Sequence, residues 1–289
     1  MWLLFACASA LFAGLTAVLA KQGVRTTDST LATALRTPVV LVGAWAMTLL
    51  SGSIRALGQV DARSLAYLVL SGLATGASWL CYFKALQLGD VSRVAPVDKM
   101  STVLTVIMAV LLLGEGLSAL GAVGLALVTL GTLLMLRAED LRSLPRALAG
   151  GGGWLLYALG AALFAALTAI LGKIGIAAVP SDLGTAIRTG IVLVMAWVMV
   201  GVAGRLGSAT RVPRGEMIWI LLSGAATCAS WLCYFRALQD GPASVVVPID
   251  KLSVLVSVAF SVLVLREHMG VRALLGLAVL VVGTVALAL

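Results

Sequence analysis

Two Asp-Lys pairs stand inside apolar stretches of the chain, where charged side chains are rare. They are Asp98-Lys99 and Asp250-Lys251, and each pair begins two residues after a proline. Proline removes a backbone donor and tends to kink a helix, which frees a carbonyl oxygen. We predict that Lys99 and Lys251 bind a ligand, and that Asp98 and Asp250 hold the lysines or carry a proton. The alternative is that each Asp pairs with a basic residue of its own half of the chain and locks helices together.

Two arginines, Arg36 and Arg188, form a second pair of charged residues within apolar stretches. A guanidinium group donates in a planar fork that matches a carboxylate. A charged side chain inside the apolar part of a membrane segment is costly, so an arginine there is a candidate for a functional site. We therefore predict that both bind the ligand, and the alternative is a structural salt bridge to Asp98 or Asp250.

Aromatic residues recur with a spacing of three in two of the same stretches: Trp79 with Tyr82, and Trp231 with Tyr234. Residues three apart share a face of a helix. This spacing predicts that the aromatic rings form flat walls of a cavity that holds an aromatic or cationic group of a ligand. The alternative is that the rings serve ordinary packing or lipid contact.

Motifs for catalysis are missing from the sequence. It contains no G-x-x-x-x-G-K-[ST] and no G-x-S-x-G, and its one histidine, His268, has no metal-ligand spacing to an acid or a cysteine. The four cysteines form no C-x-x-C pair and lie in apolar runs, which is typical of reduced packing residues. We predict no catalytic residue, no metal and no cofactor, so the chain is not expected to be an enzyme.

The composition places these residues in a membrane. Of 289 residues, 61% are hydrophobic and 11% are charged, against about 25% charged in a soluble domain. Because a membrane helix needs about 20 apolar residues, the sequence divides into ten spans and leaves no room for a large soluble domain. The spans cover residues 2–20, 30–50, 64–88, 91–113, 117–136, 153–172, 182–203, 216–238, 243–265 and 271–289. The first span has no basic residue before it, so we interpret it as a helix and not as a cleaved signal.

The chain contains an internal repeat. Residues 1–137 align with 153–289 at a constant offset of 152, without a gap, and 138–152 form a linker. About 26 of the 45 positions from 71 to 115 are identical to their partners, including Trp, Cys, Tyr, Gln, Pro, Asp and Lys. Apolar similarity alone would not match these residue types in register, so the sequence indicates a duplication.

Each repeat holds five spans, and this odd number fixes the relation between the copies. The second copy must enter the membrane from the opposite side. We therefore predict an all-α polytopic membrane protein with ten transmembrane helices, arranged as two five-helix repeats of inverted topology. This architecture is typical of transporters, whose site lies near the midplane between repeats. A duplicated membrane enzyme or scaffold is the alternative.

The chain resembles the drug/metabolite transporter superfamily, in particular the ten-span EamA-type permeases. The resemblance is carried by the five-plus-five repeat, the length, and the span ends at Gly114-Glu115 and Arg266-Glu267. The segments S-W-L-C-Y-F-[KR]-A-L-Q and P-[VI]-D-K resemble the small bacterial and archaeal members, whose five-span unit is here doubled. The resemblance implies a central cavity lined by the first four spans of each repeat, with the fifth and tenth spans at the periphery.

Together these observations predict a secondary transporter in the inner (plasma) membrane that exports a small metabolite by alternating access. Four basic against two acidic candidates favour a substrate with a carboxylate, such as an amino acid. The alternatives are a multidrug or cation exporter, and a scaffold or lipid-modifying protein without transport. The expected partners are the substrate, the lipid bilayer and a coupling proton, with no nucleic acid, and the chain is expected to be a monomer or a homodimer.

Several residues at the ends and edges of the spans are expected to have structural roles. Glycines repeat every seven residues on the fifth and tenth spans, at Gly124 and Gly131 and at their repeat partners. Small residues on one stripe allow helices to approach closely, so these spans are predicted to pair, within the molecule or across a dimer. Glu115 is predicted to be interfacial or to link helices, and Lys173 to extend to the membrane interface.

The orientation of the termini is left open by two arguments that disagree. Twelve Lys and Arg residues near span ends fall in the odd-numbered connections and four in the even-numbered ones. The positive-inside rule then places both termini outside the cell. The family resemblance implies that both termini are cytoplasmic.

Overall fold

A computed structural model of the chain describes residues 1–88, 94, 97, 100–134, 153–263 and 271–289, and in these residues it is helical without strands. Two 3-10 helices, Ser53–Gln59 and Leu206–Arg211, lie in connections. The α-helices of the first half are α1 (Trp2–Gly23), α2 (Ser29–Ser51), α3 (Ala62–Leu88), α4 (Ser101–Leu113) and α5 (Ala119–Leu134). Those of the second half are α6 (Gly153–Gly175), α7 (Ser181–Val202), α8 (Arg214–Asp240), α9 (Ala243–Lys251), α10 (Ser253–Leu263) and α11 (Val271–Ala288).

Six of the described helices are long and apolar enough to cross a membrane. They are α1, α2, α3, α6, α7 and α8, and they coincide with six of the ten predicted spans. The other four predicted spans contain the shorter helices α4, α5, α9 with α10, and α11.

Local sequence sets where individual helices begin and bend. Asp28 caps α2, because its carboxylate accepts from the backbone N–H groups of Thr30 and Leu31 at 2.9 and 3.3 Å. Pro248 lies inside α9, and the helix is interrupted at Leu252 before α10 begins.

The main helix contacts join one half of the chain to the other. Helix α1 packs along α8, α3 along α6, α2 along α7, and α5 along α11. In each of these pairs a helix from residues 1–134 lies against a helix from residues 153–289. The two halves of the sequence therefore build one helical body, and a cavity between them is lined by both.

The pairing of α5 and α11 within the molecule confirms the prediction from the glycine spacing. A Cβ atom added to Gly131 would lie 2.7 Å from the carbonyl oxygen of Gly276, and one added to Gly124 would lie 2.7 Å from that of Gly283. Because any larger side chain would collide with backbone there, glycine is needed for the close approach.

Candidate functional site

A central cavity of about 270 Å³ lies between α1, α3, α6, α7, α8 and α9. It brings together six of the residues that the sequence predicted for the site. They are Trp79, Arg188, Trp231, Tyr234, Asp250 and Lys251.

Arg188 lines this cavity and is almost fully buried, with only 2% of the residue exposed. Its Nη2 donates to Thr75 Oγ1 at 2.7 Å, while its Nε has no hydrogen-bond partner in the described part of the chain. The guanidinium carbon lies 4.9 Å from the ring centre of Trp231 and 4.5 Å from that of Phe235. The aromatic faces stabilise the cation but accept no hydrogen bond from Nε. A buried donor without a partner is costly, so an oxyanion that reached Arg188 from the cavity would be favoured.

Asp250 and Lys251 supply opposite charges at the end of α9. Asp250 Oδ1 accepts from Ser9 Oγ at 2.5 Å, and this bond joins α9 to α1. With Arg188, the described lining of the cavity carries two positive charges and one negative charge. The cavity is therefore suited to a ligand with a carboxylate, and Asp250 gives it a place for an amino group.

Hydroxyl groups of the cavity are functional candidates that the sequence reasoning missed. Thr75, Ser78, Thr168 and Ser230 all line it. The signal was present, because Thr75 lies four residues before Trp79 in the repeated segment and three before Ser78, so it lies on the same side of the helix as each of them.

Four other predicted residues are not among the described lining of this cavity. Tyr82 packs edge-on against Phe83, with ring centres 5.8 Å apart. Arg36 lines a second cavity, described below. Asp98 and Lys99 lie outside the described residues.

The second cavity, of about 340 Å³, lies between α1, α2 and α8. Lys21 and Arg36 are its two charged lining residues, and Thr33 and Ser223 contribute hydroxyl groups. No hydrogen bond or ion pair of the Arg36 side chain occurs in the described part of the chain.

A cluster that we call the Glu115 clip joins the two halves at one end of the molecule. Glu115 accepts from the backbone N–H groups of Ala243 and Ser244 at 2.7 and 2.8 Å, and so caps α9. Lys173 lies 3.0 Å from the Glu115 carboxylate and donates to the Gly241 carbonyl at 2.5 Å. The carboxylate thus sits at the positive end of α9 and the ammonium at the negative end of α8.

The clip decides between the two roles predicted for Glu115 and changes the one predicted for Lys173. Glu115 links helices, and Lys173 folds back onto the protein with 22% of its side chain exposed. Burial alone would raise the pKa of the Glu115 carboxyl. Hydrogen bonds from Ser244, Ala243 and Lys173 outweigh it, so the pKa lies below its usual value.

A different cluster, the Glu216 clip, ties the α1–α2 connection to α8 at the opposite end. The Glu216 carboxylate accepts from the backbone N–H and the hydroxyl of both Thr26 and Thr27, at 2.6 to 3.0 Å. Nearby, Asp28 lies 3.8 Å from Arg205. Each end of the molecule therefore has its own set of polar contacts between the two halves of the chain.

The described ranges offer no grouping of three His, Cys, Asp or Glu side chains that could hold a metal ion. The described lining of the central cavity offers hydrogen-bonding groups, charges and aromatic faces.

Comparisons with known proteins agree with this architecture. The model of the EamA-like transporter family matches residues 1–137 and again residues 152–289. A protein from Sinorhizobium sp. named "Uncharacterized transporter in cobO 3'region" is 47% identical over 134 residues, which are 46% of this chain and 95% of that protein. This relative therefore has about the length of one repeat of the present chain.

The crystal structure of another protein has a similar fold. It matches with a TM-score of 0.74 at 19% identity, over 100% of this chain and 98% of that one.

Proposed function

Because the chain belongs to the EamA-like transporter family, we propose that this multi-pass membrane transporter moves a small metabolite with a carboxylate, such as an amino acid. The observation that carries the proposal is the buried Arg188, which lines the central cavity and whose Nε has no hydrogen-bond partner among the described residues. A substrate carboxylate supplies the missing acceptor and neutralises the buried charge.

Alternating access is the mechanism that we propose for this transport. Ten membrane helices form two inverted repeats, residues 1–137 and 153–289, joined by the linker 138–152. Rocking of the repeats would expose the cavity to one side of the membrane and then to the other. We propose the inner membrane as the location and export as the direction, by a monomer or a homodimer.

Matched contacts in the two halves support the inverted repeat. Ser78 Oγ donates to the Ala161 carbonyl at 2.9 Å, and its repeat partner Ser230 donates to the Ser9 carbonyl at 3.2 Å. Ala161 and Ser9 are also repeat partners, at the offset of 152. A two-fold relation between the halves produces such reciprocal pairs.

The other residues of the cavity have complementary roles in the proposal. Lys251 adds a second cation near the carboxylate, and Trp79 and Trp231 form flat walls for the substrate side chain. Asp250 pairs with an amino group or carries a coupling proton. By the repeat, Lys99 and Asp98 have the corresponding roles in the first half.

A multidrug exporter of cations is the second candidate, and the aromatic walls favour it. The excess of positive charge among the described lining residues opposes it, because a cationic ligand would face both Arg188 and Lys251. A scaffold or a lipid-modifying protein would give no role to the Arg188 Nε, which has no hydrogen-bond partner among the described residues.

A ligand-stabilisation screen on the purified protein tests the proposal. The probes are the twenty L-amino acids and, as matched controls, the amides of those that stabilise the protein. We expect stabilisation by at least one amino acid and none by its amide, because the amide lacks the charge that Arg188 requires. Equal stabilisation by acid and amide would contradict the carboxylate assignment. Flux of the same amino acid into proteoliposomes then separates a transporter from a scaffold.

Substitution of Arg188 assigns the effect to the cavity. Truncating one partner of a buried charge pair costs about 2–5 kcal/mol, so Arg188→Gln should weaken binding by about 30-fold or more. Arg63→Gln is the matched control, since Arg63 is an exposed arginine stacked on Tyr67 outside the cavity. Equal affinities in both variants would remove Arg188 from the site.

A further inference from the structure

Arg188 is held in a cage of three side chains, and its repeat partner Arg36 is not. The Arg188 cage consists of Thr75, which accepts from the guanidinium, and of Trp231 and Phe235, whose rings face it. The equivalent residues of the other half are Thr227, Trp79 and Phe83. Within the described ranges, none of these three forms a hydrogen bond or a cation–π contact with Arg36, which lines the second cavity. Of two arginines at the same repeat position, one is caged.

The helices that carry the two arginines are nevertheless packed alike. A Cβ atom added to Gly224 would lie 2.8 Å from the Arg36 carbonyl oxygen, and one added to Gly72 would lie 3.0 Å from that of Arg188. Gly72 and Gly224 are repeat partners at the offset of 152. The backbones of α2 on α8 and of α7 on α3 therefore have equivalent neighbours, and the difference lies in the side chains.

The neighbouring helix pairs α1–α8 and α3–α6 also match near their ends. A Cβ atom added to Gly23 would lie 2.8 Å from Ile220, and one added to Gly175 would lie 2.9 Å from Leu68. Both the glycines and their neighbours are repeat partners. The two helix pairs approach equally closely at these residues, so the difference between the arginines has a more local cause.

The two halves differ in residue type where Phe235 packs. A Cβ atom added to Gly172 of α6 would lie 2.6 Å from the Phe235 ring and 3.1 Å from Ser71 Oγ. The repeat partner of Gly172 is Ala20, which has that Cβ atom. Two carbon atoms in contact are normally about 3.5–4.0 Å apart. Phe83 therefore cannot rest on Ala20 in the way that Phe235 rests on Gly172.

A serine beside this position differs in the same direction. Ser71 Oγ donates across to α6, to the Thr168 carbonyl at 2.8 Å. Its repeat partner Ser223 donates instead to a carbonyl of its own helix, at 2.7 Å. The methyl group of Ala20 would crowd a Ser223 hydroxyl that pointed across to α1, because the matching distance at Gly172 is 3.1 Å. Two side chains next to the glycine thus follow its lack of a methyl group.

We infer that Gly172 is a positioning residue for the substrate carboxylate: it leaves the space in which Phe235 lies, and Phe235 holds the Arg188 guanidinium in the central cavity. The inference rests on the proposed function, in which Arg188 binds the carboxylate. Ala20 denies the same support to Arg36. The central cavity therefore receives one caged arginine from the duplication, which suits a substrate with a single carboxylate.

Affinity measurements on matched variants test the inference. Gly172→Ala places a methyl group against Phe235, and we expect the dissociation constant of the stabilising amino acid to rise about ten-fold, because the cation–π contact to Arg188 is lost. Gly175→Ala is the matched control, since it creates a similarly tight contact with Leu68, which is not among the described lining of the cavity. It should lower the unfolding temperature and leave the dissociation constant unchanged.

A double variant shows whether the effect passes through Phe235. Phe235→Leu removes the ring atoms that the new methyl group would meet. Gly172→Ala should then raise the dissociation constant by less than about two-fold in this background, because the two substitutions act on one contact. A ten-fold rise in both backgrounds, or an equal rise in Gly175→Ala, would overturn the inference. If Gly172→Ala does not fold, it should fold in the Phe235→Leu background, and failure in both would refute the collision with Phe235.

A resonance of Arg188 gives a readout that needs no ligand. In detergent, with isotope-labelled arginine, the Nε–Hε signal that is lost in Arg188→Gln belongs to Arg188, and the nearby Phe235 ring shifts it. Gly172→Ala and Phe235→Leu should move this signal, whereas Gly175→Ala should not. If no amino acid stabilises the protein, the proposed function fails, and this signal still decides whether Gly172 and Phe235 position Arg188. An unmoved signal in both variants would overturn the inference.

Discussion

The Glu115 clip makes a local prediction about how firmly one end of the molecule is closed. Glu115→Gln removes the negative charge and keeps the size of the side chain. The amide retains one acceptor oxygen where the carboxylate had two. The N–H groups of Ala243 and Ser244 then compete for that oxygen, and the ammonium of Lys173 loses its counter-charge.

The size of the effect follows from these contacts. A hydrogen bond to a charged group contributes about 1.5–3 kcal/mol, and a charge at a partly buried helix end contributes up to about 2 kcal/mol. The Glu115 side chain is 12% exposed, so solvent screens it only in part. We expect the substitution to favour opening of the clip by about 2–3 kcal/mol. This corresponds to a roughly 30- to 150-fold larger opening equilibrium.

Hydrogen–deuterium exchange in detergent measures this opening at the backbone. Peptides that cover residues 241–247 should exchange faster in Glu115→Gln, because the amides of Ala243 and Ser244 depend on the clip. Glu216→Gln is the matched control at the other end. It should accelerate exchange at Thr26 and Thr27 and leave residues 241–247 unchanged.

Two results would refute this reasoning. Exchange of residues 241–247 within about three-fold of the parent would mean that the charge contributes less than about 1 kcal/mol. An equal acceleration across the whole chain would mean that Glu115 supports the fold in general and does not close one end.

Three further predictions concern acid, packing and charge. The pKa of Glu115 in the folded protein lies below its usual value of about 4.3. The clip therefore contributes its full stability above that value and loses it as the pH falls through the folded pKa. Hydrogen–deuterium exchange at residues 241–247 should accelerate over this acidic range in the parent and should not change with pH in Glu115→Gln. Gly131→Ala should destabilise the protein by about 1–3 kcal/mol, because the new methyl group would collide with the backbone of α11. Gly58→Ala is the control: a Cβ atom added there would have no neighbouring atom within 4 Å, so thermal unfolding in detergent should be unchanged. Lys251→Ala should abolish flux in proteoliposomes at an unchanged unfolding temperature, and normal flux would exclude Lys251 from the substrate site.

The charged residues that line the central cavity could be placed inside the protein from the sequence for a physical reason. Arg188, Asp250 and Lys251 carry charges that a membrane segment does not leave facing lipid, so their types alone predict an interior position. The glycine spacing on α5 and α11 predicted their contact for a similar reason, because it allows close approach. Whether the contact lies within one chain depends on tertiary packing, which the spacing does not contain.

The asymmetry between Arg36 and Arg188 could not be predicted in the same way. Both follow alanine and an aliphatic residue and precede threonine, so their local sequences give no distinction. Their side chains differ in partner because the two halves are packed differently around them. The capping role of Glu115 was hidden for another reason, since its partners lie more than 120 residues away in the chain.

Under the alternating-access mechanism and inverted repeat proposed above, the Glu216 clip has a consequence for the balance between the two facing states of the protein. The residues aligned with Thr26, Thr27 and Glu216 are Ala178, Val179 and Ser64, so the other half cannot form the same contacts. Two identical five-helix subunits that pack in opposite orientations have two facing states of equal free energy, because exchanging the subunits converts one state into the other. Fusion into one chain allows each copy to change alone. A contact that exists at one end removes this degeneracy, so the transporter can have a preferred resting state without any ligand.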